Sequence, residues 1–313
     1  MQETSNSPLY SDDKIDIREL VNILWKGKII IVFLTGFVSL ITVIYSLQLP
    51  NIFESRVLLA PVNPSSGISR TLKGYSSLAG IAGVTIPVGI DESNTSKAIK
   101  KINSLSFFET NILTNIHLPD LMAVKAWDSK TNTIVFNEDL FDTNSNTWVR
   151  DYSYPQKQIP SAQESFKVFT KQHLNLSEDK KSGFITLAIK HQSPYLAKQW
   201  VELIVNEINN FYRQKDKLES EKAANYLNKQ LSLASLSEVK EILAKLLQEE
   251  TKKLTLIEAN KFYVFEYIDP PAVMEEKSEP KRAFICVLGA IFGGMLSIIL
   301  VFIRHYFFST RTS

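Results

Sequence analysis

The sequence predicts an α+β fold in which two transmembrane helices flank one extramembrane α/β domain, with a helical hairpin projecting from that domain. Three observations predict it. Uncharged apolar runs stand near both ends, at Ile29–Leu49 and Ala283–Ile303. Each is about 21 residues long and spans roughly 30 Å as a helix, the thickness of a bilayer's hydrocarbon core. Between Pro194 and Leu233 there is no Gly and no further Pro, so one long helix is expected there. The expected divisions are residues 1–28, a tail with an amphipathic helix; 29–49, the first span; 50–282, the α/β domain, with its hairpin at about 194–260; 283–303, the second span; and 304–313, a second tail.

The first span lies too far from the start, and is too long, for the apolar core of a signal peptide, and Leu49-Pro50-Asn51 is a poor cleavage site. Lys14, Arg18, Lys26 and Lys28 precede it, which by the positive-inside rule places the N-terminus in the cytoplasm. Two spans return the C-terminus to that side, where Arg304 and Arg311 fit. Lys277, Lys281 and Arg282 then fall on the far side, as long translocated segments allow. In the second span Gly289 and Gly293 are four apart, as are Ala290 and Gly294. This spacing bares backbone along one helix face, where another membrane helix can pack closely, although glycine is also common in membrane helices generally.

The net charge of +2 is nearly balanced, so nothing in it argues for a nucleic-acid partner. The single cysteine, Cys286, lies inside the second span. The domain has none, which suits an oxidising compartment such as a bacterial periplasm.

In chain order, Ile17, Leu20, Val21 and Leu24 recur at helical spacing, and Trp25 suits a membrane surface. Asp12–Lys28 reads as an amphipathic helix on the inner leaflet, or else as the cytoplasmic end of the span. Phe53–Ala60 alternates as a strand. Pro61–Ile90 is a long Gly-, Ser- and Pro-rich loop, either a contact surface or an ordinary buried loop. Ser96–Asn115 has helical periodicity through Ile99, Ile102, Leu105, Phe108 and Ile112. Thr133–Phe136 reads as a short strand. Ser161 and Glu164 form a capping-box pattern. Leu174–Leu176 and Phe184–Lys190 read as strands around the turn Asp179–Gly183. Ser193-Pro194 is a helix start, with serine at the N-cap and proline in the first turn. Trp200, Ile204, Ile208 and Phe211 give that helix its apolar face. Ser235 and Glu238 suggest a second capping box. The helix after it has Val239, Ile242, Leu246, Leu254 and Ile257 as its expected seam, with acid-before-base pairs Glu241–Lys245 and Glu249–Lys253. Phe262–Ile268 reads as a strand, expected to pair with Phe53–Ala60 because both adjoin spans.

No catalytic constellation is visible. There is no P-loop and no nucleophile elbow, and His117, His173, His191 and His305 are scattered without metal-ligand spacing. Asp12-Asp13 and Glu275-Glu276 read as solvated pairs. Neither span carries a central ionisable residue, which argues against an ion pathway. No cofactor is expected. Lys215, Lys217 and Lys222 on the hairpin read as a solvated face, with sugar or lipid phosphate as the other option.

Several stretches in this order resemble one family. They are Ile15-Asp16-Ile17-Arg18-Glu19-Leu20 with Leu24-Trp25-Lys26-Gly27-Lys28, then Leu78-Ala79-Gly80-Ile81-Ala82-Gly83, then Ser193-Pro194-Tyr195-Leu196-Ala197. Pro270-Pro271-Ala272, Pro280-Lys281-Arg282 and the glycines of the second span complete the set. The chain resembles the bacterial polysaccharide co-polymerases, the Wzz-type chain-length determinants of O-antigen and related glycans. The resemblance implies a two-pass inner-membrane protein with cytoplasmic termini and a periplasmic α/β domain. It also implies a ring-like homo-oligomer that is not an enzyme, acts with a Wzy-type polymerase and sets modal glycan length; a lipid-linked glycan is a further candidate partner. The hairpin is shorter, and the approach to the second span poorer in proline, than in typical members. Gly289, Gly293 and Gly294 are the expected span-packing residues, and Pro280 sets the chain's approach to the span. The alternatives are a co-polymerase for exopolysaccharide or capsule with a separate kinase, a structural adaptor, or a periplasmic sensor. The short tail after Ile303 disfavours the sensor and a fused kinase.

Overall fold

The computed structural model describes residues 17–62 and 94–309. They divide into two compact units, Asn51–Ser278 and the chain on either side of it. The Gly-rich stretch at 78–83 and Asp12-Asp13 lie outside the described residues.

The unit Asn51–Ser278 is built on β1, Phe53–Pro61. It sits inside a four-stranded sheet of order β6-β7-β1-β8, formed with β6 (Leu174–Glu178), β7 (Ile185–His191) and β8 (Phe265–Asp269). All three pairings are antiparallel. The alternation of β1 selects its faces: Val57 and Leu59 are buried, while Arg56 points out and pairs with Glu54 at 3.0 Å. The expected pairing of the first and last strands is present. However, β8 starts at Phe265 rather than Phe262, and the amides of Tyr263 and Val264 before it go to the Asn209 side chain instead of to β1.

Helices cover the sheet. The expected helix over Ser96–Asn115 is broken in two. Helix α3 (Asn94–Ile102) ends, and Ser104 caps a new start by accepting the Phe107 amide at 3.3 Å. The run continues as an α-turn (Leu105–Phe107), a π-turn (Phe108–Ile112) and a 3₁₀ turn (Leu113–Asn115). Phe107, Phe108 and Ile112 are buried in the core with Phe169, Leu187, Ile189, Trp200, Ile204 and Ile208. A short helix α4 (Leu118–Met122) leads to two small hairpins, β2 (Val124–Asp128) with β3 (Thr133–Phe136) and β4 (Phe141–Asp142) with β5 (Thr147–Trp148).

Three hairpin turns share one design. In DSKTN, DTNSN and DKKSG, the aspartates Asp128, Asp142 and Asp179 accept the backbone N–H two residues on, each at 2.9 Å. Each also accepts the hydroxyl three residues on, from Thr131, Ser145 and Ser182 at 2.7, 2.6 and 2.7 Å. The fifth residue, Asn132, Asn146 or Gly183, takes a positive φ, a conformation that asparagine and glycine tolerate best. These hydrogen bonds hold all three carboxyls below the usual carboxylate range.

Helix α5 (Ala162–Val168) begins where the capping-box pattern placed it, and Ser161 Oγ accepts the Glu164 amide at 3.2 Å. The reciprocal half is absent: the Glu164 carboxylate receives Arg150, with Nη2–Oε2 at 2.8 Å. Arg150 also donates to the carbonyls of Lys157 and Gln158, so it ties the preceding loop down. Helix α6 runs from Pro194 to Leu233 over 40 residues, with Ser193 as N-cap. Helix α7 (Ser237–Ala259) returns beside it. Leu236 stands at its N-cap position without a side-chain cap, so the Ser235–Glu238 capping box does not form.

In the other unit, α1 (Ile17–Lys26) and α2 (Lys28–Gln48) meet at Gly27. The backbone bonds Gly27 N–Ile23 O at 2.9 Å and Ile31 N–Gly27 O at 3.0 Å run straight through the junction. Helix α1 therefore leads into α2 without a gap in backbone hydrogen bonding, while the two remain distinct helices on either side of a turn at Gly27. Helix α8 (Arg282–Ser309) packs along α2. Lys28–Gln48 and Arg282–His305 are long and apolar enough to cross a membrane.

Candidate functional site

Two features stand out in a chain whose described residues include no group of His, Cys, Asp and Glu able to hold a metal. One is the seam between α2 and α8. The other is the hairpin of α6 and α7.

The seam is made of small and hydroxylic residues at spacings of three and four. A Cβ on Gly289 would overlap the Thr42 side chain, and one on Gly293 would lie 3.0 Å from Val38 Cβ and 3.4 Å from Thr35 Cα. Thr35 and Ser297 bring their hydroxyls to 3.4 Å. Thr42 and Ser297 also donate back to their own helices, to Val38 O and Gly294 O, so these hydroxyls have backbone partners in an apolar setting. Arg282 closes one end by donating to the carbonyls of Ser46 and Leu49 at 3.2 and 3.3 Å. A cation is favoured there by the last carbonyls of α2. Gly294 differs from its neighbours, since nothing lies within 4 Å of its would-be Cβ. Pro280 follows a cis peptide bond two residues before α8. Large apolar side chains such as Ile29, Phe33, Phe292 and Phe307 point outward from this helix pair, as lipid-facing positions do.

The hairpin is fastened at its base by one face of α6. Asn209, buried, accepts the amides of Tyr263, Val264 and Phe265 at 3.3, 2.7 and 3.0 Å, and donates to Phe265 O at 3.1 Å. One turn on, Arg213 donates to the carbonyls of Asn260 and Lys261 at 2.8 and 2.6 Å. Asp216 accepts the Tyr263 hydroxyl at 2.6 Å, and Lys217 pairs with Glu258 at 2.5 Å. Burial and the adjacent Asp216 carboxylate push the Tyr263 phenol well above its ordinary range.

Farther out, the hairpin seam is not the expected one. Ile257 is buried and Leu254 half-buried, but the inward positions before them are Leu243, Leu247 and Glu250. Val239, Ile242 and Leu246 are exposed instead, along with Leu233 and Leu236 at the turn. Helix α7 carries two apolar stripes, and α6 covers one of them. The pair Glu241–Lys245 forms at 2.9 Å, whereas Glu249 and Lys253 make no ion pair. Both are solvated, where such pairs are worth little. Of the hairpin lysines, Lys215 and Lys217 face Glu219 and Glu258.

The histidines are less scattered than the sequence suggests. The register of the β6–β7 hairpin, Leu174 opposite Ile189, brings His173 and His191 together with rings 5.6 Å apart, and both pack on Trp200. Each is held by backbone. His191 Nδ1 accepts the Ser193 amide at 2.9 Å, so its Nε2–H donates to Asp120 O at 3.0 Å. His173 Nδ1 donates to Lys190 O at 2.7 Å. This is the neutral form of His191, since a proton on Nδ1 would face another donor. Burial, the largest cause, lowers both imidazoles and holds His191 down to about 4. An unfolded imidazole titrates near 6.5. Between those values the unfolded chain binds a proton that the fold refuses, so stability is full above about pH 6.5 and falls as pH drops toward 4. For His191 alone the expected loss is roughly 3 kcal/mol. Urea midpoints of the full chain in detergent, measured from pH 7 to 4, check this. His191→Gln is expected to be less stable at pH 7 and to flatten the slope; an unchanged slope would refute the assignment.

The profile of the Wzz family, described as chain length determinant protein, matches residues 13–110. That of GNVR, described as "G-rich domain on putative tyrosine kinase", matches residues 231–306. No curated protein matches the chain. Among solved structures, one described as a full-length bacterial polysaccharide co-polymerase is similar at 12% identity, over 95% of this chain and 100% of the other, with a TM-score of 0.43. A fragment of WzzB, a polysaccharide co-polymerase from Salmonella Typhimurium, is similar at 11% identity, over 73% of this chain and 100% of the other, with a TM-score of 0.32.

Proposed function

Because the chain belongs to the polysaccharide co-polymerase family of chain length determinants, we propose that it sets the modal length of a surface polysaccharide, O-antigen of lipopolysaccharide or a similar polymer. On this reading it is a regulator of a Wzy-type polymerase, not a catalyst. It lies in the bacterial inner membrane with both termini cytoplasmic and Asn51–Ser278 in the periplasm. The basic residues Lys26, Lys28 and Arg304 at one end of the helix pair support that orientation. The observation that carries the reading is the Wzz match over the first span and β1, in a chain with a second candidate span near its other end.

The working form is a ring-like homo-oligomer. The uncovered stripe of Val239, Ile242 and Leu246 supports this, because contiguous exposed apolar residues mark contact surfaces. Gly289 and Gly293 hold the two helices of one chain close. Gly294, which faces away from α2, is the glycine available to a neighbouring protomer, and Pro280 fixes the chain's approach to α8.

The GNVR match over 231–306 favours a second reading, a co-polymerase for exopolysaccharide or capsule whose kinase is a separate chain. The discriminating experiment is a gel of surface polysaccharide from a strain lacking the protein, beside the complemented strain. A clustered O-antigen length distribution should collapse to a short, random ladder on deletion. An unchanged O-antigen ladder with altered capsule or exopolysaccharide length would select the second reading. If every polymer kept its length distribution, length control would be wrong and an adaptor or sensor role would replace it.

A further inference from the structure

Gly27 lets the backbone between α1 and α2 approach α8 closely: a Cβ there would stand 2.5 and 2.8 Å from the two methyls of Val301. Around this contact lies a cleft of about 400 Å³. Its floor is apolar, formed by Ile23, Ile30 and Val301. Its rim carries Lys26 and Arg304 beside His305, and among the described residues no acidic side chain lines it. Lys26 and Arg304 are exposed. Both apolar helices reach their charged ends here, Lys28–Gln48 at its start and Arg282–His305 at its finish. That is the level at which hydrocarbon gives way to headgroups.

A cationic rim above an apolar floor matches a molecule with an anionic head and a hydrocarbon stem. We propose that this cleft binds the phosphate of an anionic lipid. Arg304 and Lys26 pair with the phosphate oxygens, arginine through its planar fork and lysine as a point charge. Ile23, Ile30 and Val301 cover the first methylenes, which a soluble phosphate would leave without a partner. The volume falls in the range of small-molecule sites. The inference requires the two helices to lie in a bilayer but does not depend on any role in glycan length.

The test uses the full chain, stripped of lipid in a non-ionic detergent and examined by native mass spectrometry. Dioleoyl phosphatidylglycerol, dioleoyl phosphatidylcholine and inorganic phosphate are titrated separately. Phosphatidylglycerol should bind at least tenfold more tightly than phosphatidylcholine. The double variant K26Q/R304Q should lose at least tenfold in phosphatidylglycerol affinity, and the charge-conserving K26R/R304K should keep most of it. K277Q/K281Q removes the same charge from the segment that precedes the far, N-terminal end of α8, and should bind as wild type. Helical circular dichroism and a single elution peak confirm that each variant is folded. Inorganic phosphate binding alone, displacing phosphatidylglycerol, would keep the phosphate site and assign it a soluble source. Equal binding of both lipids, or equal losses in the two glutamine variants, would overturn the proposal by reducing it to general attraction between charges.

Discussion

Replacing Asn209 with leucine is expected to lower the stability of the domain by about 3–5 kcal/mol. The side chain is nearly the same size, so the loss comes from polar groups rather than a cavity. Asn209 Oδ1 receives three consecutive amides and its Nδ2 serves the Phe265 carbonyl, all buried. Leucine leaves four backbone groups unpaired, each costing about 1–3 kcal/mol if water cannot reach it; partial relaxation keeps the total below the sum. Against a typical domain stability of roughly 5–15 kcal/mol this is a large fraction. The neighbouring Asn210 is exposed, and Asn210→Leu should stay within about 0.5 kcal/mol of wild type. Denaturant unfolding followed by the fluorescence of buried Trp200 measures both. Similar midpoints for the two variants would show that Asn209 does not fasten the returning chain to α6.

The second large effect is expected at Gly289. Thr42 already occupies the space that any side chain there would need, and Gly293 is nearly as tight against Val38. Gly289→Leu and Gly293→Leu should push α8 off α2, whereas Gly294→Leu should not, because its side chain would enter open space. Thr35→Cys with Ser297→Cys, in a Cys286→Ser background, gives a direct readout, since those two hydroxyls are 3.4 Å apart. Disulfide yield should fall about fivefold or more in the first two variants, where packing alone holds the helices, and stay unchanged in the third. If Gly294→Leu lowers the oligomer size while keeping the intrachain disulfide, the outward face serves contacts between protomers. If Gly293→Leu leaves crosslinking and glycan length untouched, its packing has no functional weight.

Much of the architecture is written in local patterns. The two uncharged runs, the Ser193-Pro194 start and the strands around Asp179–Gly183 each appear where the sequence places them. The D-x-x-[ST]-[NG] turns could have placed the hairpins at Asp128 and Asp142 as well, since the signal is the same as at Asp179. These features depend on backbone hydrogen bonding and on burial within one segment, so a few neighbouring residues decide them.

Tertiary structure decided the rest. Helix α7 offers two apolar stripes of similar strength, and only the position of α6 chose Leu243, Leu247 and Ile257 over Val239, Ile242 and Leu246. Asn209 and Asn210 are adjacent and chemically identical, yet one is buried because Tyr263–Phe265 passes beside it. His173 and His191 meet through a strand register, and Gly293 and Gly294 part because α2 lies on one side of α8. In each case the sequence supplied residues of the right kind, and the choice among them rested on a partner distant in the chain. Burial energy belongs to the contact, and a periodic pattern by itself cannot say which of its faces that contact will cover.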